Sequence, residues 1–102
     1  MSGFIWNFDW DPAKASANFA KHGVSFQHAA TVLLDSFALT VFDADHSEGE
    51  QRWVTLGLSA SGPLLAVVHT IDETGPQSAN VRIISARRAT SSEMRDYEEG
   101  SR

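Results

Sequence analysis

The chain has no cysteine among its 102 residues, so neither a disulfide framework nor thiolate chemistry is available to it. It also lacks the paired-histidine spacing of zinc proteases, and we therefore expect no metal and no cofactor. The most apolar run, Leu64 to Val68, is far too short to cross a bilayer. The first ten residues lack the basic start and apolar core of a targeting signal. These absences predict a cytoplasmic protein.

Positive charge is scarce and unevenly placed. The formal net charge is −5, which excludes a protein that coats nucleic acid through an overall positive field. No arginine occurs before Arg52, whereas residues 82–95 hold four arginines and a single acid, Glu93. The sequence therefore still allows a local anion site in its second half.

The apolar content is sufficient for one packed domain over residues 1–102, since 42% of the residues are hydrophobic and 10% are aromatic. Asp11-Pro12 and Gly23 mark the start and the end of a first helix. The apolar run at 64–68 indicates a central strand covered on both faces. The predicted order is β-α-α-β-β-β-β-α, with strands at 4–10, 37–42, 52–58, 64–71 and 81–86 and helices at 12–22, 25–35 and from 90 onward. The predicted class is α+β, an antiparallel sheet of four to five strands with two N-terminal helices and a C-terminal helix.

Three polar side chains cluster at the end of the first predicted helix. Asn18, Lys21 and His22 stand at positions i, i+3 and i+4, so a helix places them on one face. Histidine moves protons near neutral pH and lysine supplies positive charge, a combination typical of a site that handles phosphate. The simpler alternative is that cations at a helix C-terminus complement the helix dipole and have no other role.

The arginines of the second half are stronger anion candidates. Arg82 and Arg87 can each grip phosphate through paired hydrogen bonds and stay charged at any accessible pH. Alternation puts Arg82 on the face opposite Ile83, where it needs a partner or a ligand. Arg88 is expected at the surface. Arg52 follows an acidic loop and either pairs with a glutamate of that loop or contributes to a site.

Two histidines have ordinary explanations as well as functional ones. His69 interrupts a buried strand, where a single histidine is more often a satisfied core residue than a catalyst. His46 lies in the acidic loop 43–50, which does not match a calcium-binding loop. Counted from Asp43, the required glycine and final glutamate of such a loop are replaced by Glu48 and Val54. A solvated loop is the default interpretation.

Several motifs, taken in order, resemble those of the BrnT toxin family and together span nearly the whole chain. The most specific combination is Lys21-His22-Gly23, Asp45-His46-Ser47 and Ile84-Ser85-Ala86-Arg87. The other matching segments are Phe8-Asp9-Trp10-Asp11-Pro12 with Lys14, Asn18, Val24-Ser25-Phe26, Glu50, Arg52, Gly57-Leu58-Ser59, Leu64-Leu65, Val67-Val68-His69-Thr70, Arg82-Ile83, Arg88-Ala89-Thr90, Glu93 and Tyr97-Glu98.

The resemblance implies a RelE-like fold and a type II toxin that cuts RNA and inhibits translation and growth. It also implies an antitoxin called BrnA, which carries a ribbon-helix-helix segment, forms a hetero-oligomer with the toxin and alone contacts operator DNA. Two features depart from the family pattern: Pro63 stands where arginine is common, and the segment 72–80 is longer and less basic. These departures keep an alternative open, in which the chain is an inactive relative that acts as a binding module and co-repressor.

Together, the resemblance and the candidate residues give a hypothesis of RNA cleavage without a metal. His22 is expected to transfer protons, while Lys21, Arg82 and Arg87 stabilise the phosphate. These four groups are expected to converge on one concave surface. The auxiliary candidates are Asn18, His46, Arg52 and His69.

The antitoxin is expected to cover this site and to rely on aromatic anchors. The chain has three tryptophans, and one small core does not readily bury all of their side chains. Tryptophan and arginine contribute most of the binding energy in many interfaces. The three are Trp6, Trp10 and Trp53. Trp53 and Arg88 are the predicted contacts.

Overall fold

The computed structural model describes residues 3–100 and confirms the predicted α+β class and order of elements. Its helices are α1 (Pro12–His22), α2 (Phe26–Ala30) and α3 (Ser91–Gly100), and its strands are β1 (Ile5–Asp9), β2 (Leu39–Phe42), β3 (Trp53–Leu58), β4 (Leu64–Gly75) and β5 (Ser78–Arg88). Short 3-10 turns lie at Thr31–Leu34 and Ala44–His46. Within residues 3–100, no helix has the length and apolar character needed to cross a membrane.

The five strands form one sheet in the order β1-β5-β4-β3-β2. Three pairings are antiparallel as predicted, but β1 runs parallel to β5, so the sheet is mixed. The parallel pairing is possible because helices, and not a hairpin, connect β1 to the strands that follow. Strand β4 is central, and its Leu65, Ala66 and Val67 are buried as the apolar run predicts. The segment 72–80 extends the β4-β5 hairpin, in which Glu73 pairs with Ala79.

Helices α1 and α2 cover one face of the sheet, here called the helix face. The side chain of Asp11 accepts a hydrogen bond from the backbone N of Ala13 at 2.9 Å, and Gly23 ends α1 with φ of 71°, as the sequence predicts. The core on this face combines apolar side chains from helices, turns and strands: Val24, Phe26, Ala29, Val32, Leu65, Val67, Val81, Ile83 and Ala86.

The second helix is shorter than predicted. Helix α2 ends at Ala30, and the chain tightens into a 3-10 turn instead of continuing as α-helix to Asp35. This turn packs closely on β3, since a Cβ on Gly57 would lie 2.7 Å from Cγ1 of Val32. The close approach requires a glycine at position 57.

Asn18 ties α1 to β5 from inside the core. Its Nδ2 donates to the carbonyls of Val24 at 3.0 Å and Ala86 at 2.9 Å, and its Oδ1 accepts from the backbone N of Ala86 at 3.1 Å. Because the residue is only 7% exposed, these bonds replace contacts with water. Asn18 therefore faces the core and does not share an exposed surface with Lys21.

Helix α3 lies on the opposite face, here called the α3 face, next to β3. The hydroxyl of Tyr97 donates to the carboxylate of Asp35 at 2.6 Å, which fastens α3 to the turn before β2. This bond, with burial and the negative charge of Asp35, raises the pKa of Tyr97 to about 12. Burial raises the pKa of Asp35, but hydrogen bonds from Tyr97, Leu58 and Phe37 outweigh it and lower that pKa.

A chain of hydrogen bonds links buried polar groups of β2, β3 and β4. Nδ1 of His69 lies 3.2 Å from the carbonyl oxygen of Thr70, which can only accept, so Nδ1 carries the proton. Nε2 then accepts from the hydroxyl of Thr55 at 2.7 Å, and Thr55 accepts from Thr40 at 2.8 Å. His69 is fully buried and neutral in this arrangement.

The burial of His69 predicts a loss of stability in mild acid. Burial lowers the pKa of His69 from 6.5, and the bond to the Thr70 carbonyl opposes this effect only in part. Since the unfolded chain binds the proton more readily, the free energy of unfolding should fall as the pH drops below about 6.5. Urea denaturation of the wild type and of His69→Gln between about pH 7.5 and pH 5.5 measures this slope. An unchanged slope in His69→Gln would show that another group causes it.

Candidate functional site

A β-bulge in β5 decides which arginine reaches which face. The register of β4 and β5 shifts at Ile84, which is an extra residue in β5. Ile83 and Ala86 consequently both belong to the core on the helix face. The shift places Arg87 on the α3 face and Arg88 on the helix face, whereas strict alternation from Ile83 would reverse both.

A groove of about 410 Å³ opens on the α3 face beside Arg87, and we call it the basic groove. Three basic side chains line it. Arg87 comes from β5, Arg52 directly precedes β3, and His46 lies in the loop between β2 and β3. The remaining lining residues are Asp43, Val54, Val68, Ile84 and Ser85. The volume falls in the range of roughly 300–1,000 Å³ that is usual for ligand sites. The positive side chains can bind a phosphate, and the apolar side chains Val54, Val68 and Ile84 can contact a flat base of the same ligand.

Arg87 is held in place by Glu93 at the start of α3. Its Nη1 and Nη2 donate to the two carboxylate oxygens of Glu93 at 2.7 and 3.0 Å. Glu93 also caps α3 by accepting from the backbone N of Thr90 at 2.9 Å. The bond from Arg87 is the main reason that the pKa of Glu93 falls to about 2 from its ordinary 4.5. Stability from this carboxylate is therefore present above pH 4.5 and is lost as the pH falls toward 2.

The end-on pairing with Glu93 leaves one edge of the Arg87 guanidinium available. A guanidinium has five N–H donors, and Nη1 also donates to the backbone oxygen of Arg88 at 3.3 Å. The edge formed by Nε and the outer hydrogen of Nη2 has no partner within residues 3–100. This edge can hold two oxygens of one phosphate.

Arg52 is the arginine of the groove that is not paired with a carboxylate among the described residues. Ser47 positions it by accepting from the backbone N of Arg52 at 3.0 Å and donating to the backbone oxygen of Asp43 at 2.6 Å. Arg52 forms no salt bridge within residues 3–100, and its Nε is inaccessible to solvent and lacks a hydrogen-bond partner there. A half-buried cation in this state favours an anionic ligand.

His46 is oriented by Asp43. Nδ1 of His46 lies 3.1 Å from both carboxylate oxygens of Asp43, and the imidazole is 71% exposed. An ionised carboxylate can only accept, so Nδ1 carries a proton, and in the neutral ring Nε2 keeps its lone pair. The arrangement suits a proton-transfer group whose ring is fixed by its other nitrogen.

Comparison with known proteins assigns the family. A family model described as "ribonuclease toxin, BrnT, of type II toxin-antitoxin system" matches residues 10–93. The chain belongs to the BrnT toxin family. Every residue that lines the basic groove lies inside the matched segment.

The fold of this BrnT family member is similar to that of a solved structure. It is the 1.1 Å crystal structure of the Brucella abortus ribonuclease toxin BrnT, with a TM-score of 0.57 and 24% sequence identity. The match covers 85% of this chain and 99% of that chain. No curated protein matches the chain significantly.

The four residues predicted to form the phosphate site do not meet on one surface. Helix α1 carries Lys21 and His22 on the helix face, whereas Arg82 and Arg87 point to the α3 face. Arg82 is also outside the basic groove, because it pairs with Asp9 of the neighbouring β1 at 3.2 Å. The expectation of a single concave surface for all four is wrong, since the sheet separates them.

The structure divides the auxiliary candidates in the same way. His46 and Arg52 line the basic groove with Arg87. Asn18 and His69 are buried and bonded within the core, as described above. Neither Asn18 nor His69 therefore lines the basic groove.

The predicted antitoxin contacts lie outside the basic groove. Trp53 is half-buried and packs edge-on against Phe42, with ring centroids 5.1 Å apart. Arg88 is exposed on the helix face. Trp6 and Trp10 pack against the core, so the domain buries more of its tryptophan side chains than expected.

Two residues of the site were missed from the sequence, Asp43 and Glu93. The sequence identified Glu93 only as the single acid among the arginines of residues 82–95 and as part of the family resemblance, and neither indicates a bond to Arg87. Asp43 stands three residues before His46 in a loop, and this spacing is a usable signal because a single helical turn brings the two side chains together. Within residues 3–100, no three metal-binding side chains form a group that could hold a metal ion.

Proposed function

We propose that this BrnT family member is an endoribonuclease that cleaves RNA in the basic groove without a metal. The observation that carries the proposal is the convergence of Arg52, Arg87 and His46 on one groove. Metal-free cleavage needs positive charge at the phosphate and a group that moves protons, and these three side chains supply both.

Arg87 and Arg52 both stabilise the negative charge of the reacting phosphate, each in its own way. The free edge of Arg87 is fixed by Glu93, so it can hold two phosphate oxygens without reorganising during the reaction. Arg52 brings a positive charge that forms no salt bridge with a carboxylate of residues 3–100. Negative charge that develops on the phosphorus oxygens is therefore met from two directions.

His46 is the proposed base. Its Nε2 takes the proton of the ribose 2′-hydroxyl, and the 2′ oxygen forms a bond to phosphorus. The bond from phosphorus to the 5′ oxygen breaks, and the departing 5′ oxygen takes a proton from water. The products end in a 2′,3′-cyclic phosphate and a 5′-hydroxyl, and His46 returns its proton to solvent.

Analysis of the RNA ends tests this reaction. We expect purified protein to produce 2′,3′-cyclic phosphate ends in the presence of a chelator, and mass spectrometry of the fragments identifies them. A 3′-hydroxyl end, or a requirement for added divalent metal, would contradict the proposed chemistry. A chain that cuts no RNA at high concentration but tightens operator binding by its antitoxin would instead support the co-repressor alternative.

The partner in this proposal is a BrnA-like antitoxin with a ribbon-helix-helix segment. An inhibitor of the basic groove gains rate and specificity by offering carboxylates to Arg52. Phe42 and Trp53 pack together near the β2 edge of the sheet, and alternation from Val54 turns Trp53 away from the groove. They offer an apolar anchor only to an antitoxin that also extends around this edge. Arg88 is on the other face, so an antitoxin that covers only the groove does not touch it.

A competition experiment tests whether the antitoxin blocks the groove. We expect the antitoxin and a 2′-O-methyl RNA, which cannot be cleaved, to exclude each other in a fluorescence anisotropy assay. If both bind at once with undiminished affinity, the antitoxin acts from another surface.

A further inference from the structure

A second cavity, of about 290 Å³, lies at the C-terminal end of α1 on the helix face. Three basic side chains line it: His22, His28 and Arg88. The remaining lining residues are Phe19, Gly23, Val24, Ser25, Pro63 and Leu65. It shares no residue with the basic groove, because the bulge sends Arg87 and Arg88 to opposite faces.

Local structure holds the two histidines of this cavity in place. Gly23, with φ of 71°, turns the chain sharply after His22. Ser25 begins α2 and accepts from the backbone N of His28 at 3.1 Å, and both residues line the cavity. Asn18 bonds both the turn and β5, which fixes the histidines relative to Arg88.

The cavity is basic and its charge is not neutralised locally. None of its lining residues is a carboxylate, and Arg88 forms no salt bridge within residues 3–100. Nε2 of His28 is inaccessible to solvent and has no hydrogen-bond partner among the described residues. An unpaired buried nitrogen is unfavourable, and a small movement toward a bound acceptor would restore its hydrogen bond.

The helix dipole does not explain this cluster. A favourable interaction with the C-terminus of α1 accounts for basic side chains in its last turn, namely Lys21 and His22. It does not account for His28 in the next helix or for Arg88 at the end of β5. Three basic groups from three elements around one cavity indicate a ligand with several acceptor oxygens.

We propose that this cavity is a phosphate-binding site. Arg88 would grip two phosphate oxygens side by side, and the two imidazoles would donate to the others. The cavity is large enough for a phosphate with part of an attached ribose. The phosphate comes either from a distant part of an RNA strand bound in the basic groove or from a free nucleotide.

Titration with three probes tests the site and identifies the source. The probes are inorganic phosphate, adenosine monophosphate and a 2′-O-methyl RNA octamer, and the signals are the ring resonances of His22 and His28. Arg88→Gln keeps the size of the side chain and removes its charge, and it should weaken binding about ten-fold or more. The matched controls are Lys21→Gln and Arg95→Gln, both exposed and outside the cavity, and they should leave binding unchanged.

The pattern of responses separates the outcomes. Binding of the mononucleotide identifies a free nucleotide as the source, whereas binding of the octamer alone identifies an RNA strand. In the second case, Arg88→Gln should reduce the slope of log K against log salt concentration by about 0.7. No ring shift with any probe, or equal weakening by Arg88→Gln and Lys21→Gln, would overturn the proposal. His22→Asn is a second variant should Arg88→Gln alter the fold. The site does not rest on the proposed nuclease activity, since Arg52→Gln should lower the cleavage rate by about 100-fold or more and leave phosphate binding here intact.

Discussion

Replacement of Arg87 by glutamine is expected to slow RNA cleavage by about 10²–10³-fold while the protein stays folded. This is the usual effect of removing one fixed donor that stabilises developing negative charge. Arg87 is such a donor because Glu93 holds its guanidinium end-on and leaves the other edge facing the groove. Single-turnover rates on a short RNA measure the effect, since they isolate the chemical step from product release.

The contact between Arg87 and Glu93 also joins β5 to α3, so its loss needs a control. Glu93→Gln removes the same charge pair but keeps the guanidinium. We expect it to lose less activity than Arg87→Gln, because the guanidinium is kept but held less firmly, and to lose the stability that titrates below pH 4.5. If Glu93→Gln slows cleavage as much as Arg87→Gln, the pair is structural and Arg87 does not act on phosphate.

Replacement of Asn18 by leucine is expected to destabilise the fold by about 3 kcal/mol or more. Leucine has a similar size and no polar atoms, so the backbone N–H of Ala86 and the carbonyls of Ala86 and Val24 would lose their partners. Each buried group left unpaired costs about 1–3 kcal/mol. Urea denaturation measures the change.

The effect of Asn18→Leu is compared with a neighbour on the same helix. Ser16→Ala lies on the exposed side of α1 and should change stability by less than about 0.5 kcal/mol. A loss below about 1 kcal/mol for Asn18→Leu would mean that water or backbone movement satisfies the three groups. Asn18 would then be free for another role.

Much of the fold was predictable because its signals are local. Asp11-Pro12 and Gly23 bound α1 through capping geometry that depends only on nearby residues. The apolar run at 64–68 identified the central strand because such a strand must be covered on both faces. The parallel β1-β5 pairing was missed, because residues far apart in the chain decide it.

The candidate site was predictable only in part, and the bulge at Ile84 is the physical reason. Strict alternation from Ile83 puts Arg87 on the helix face, near Lys21 and His22, whereas the extra residue turns it to the other face. A bulge has no reliable sequence signal. The residues Arg52 and His46 were identified as auxiliary candidates, but their meeting with Arg87 depends on the folded loop closed by Ser47.

The most direct test of the location of the site is the cleavage rate of a dinucleotide by single variants. A dinucleotide has one phosphodiester, so its cleavage depends on the reacting site alone. We expect Arg52→Gln, Arg87→Gln and His46→Gln to lower the rate by about 100-fold or more. Lys21→Gln and Arg82→Gln should stay within about threefold of the wild type, since exposed charges outside the groove contribute little. If the Lys21 and Arg82 variants lose activity and the three groove variants keep it, cleavage does not take place in the basic groove.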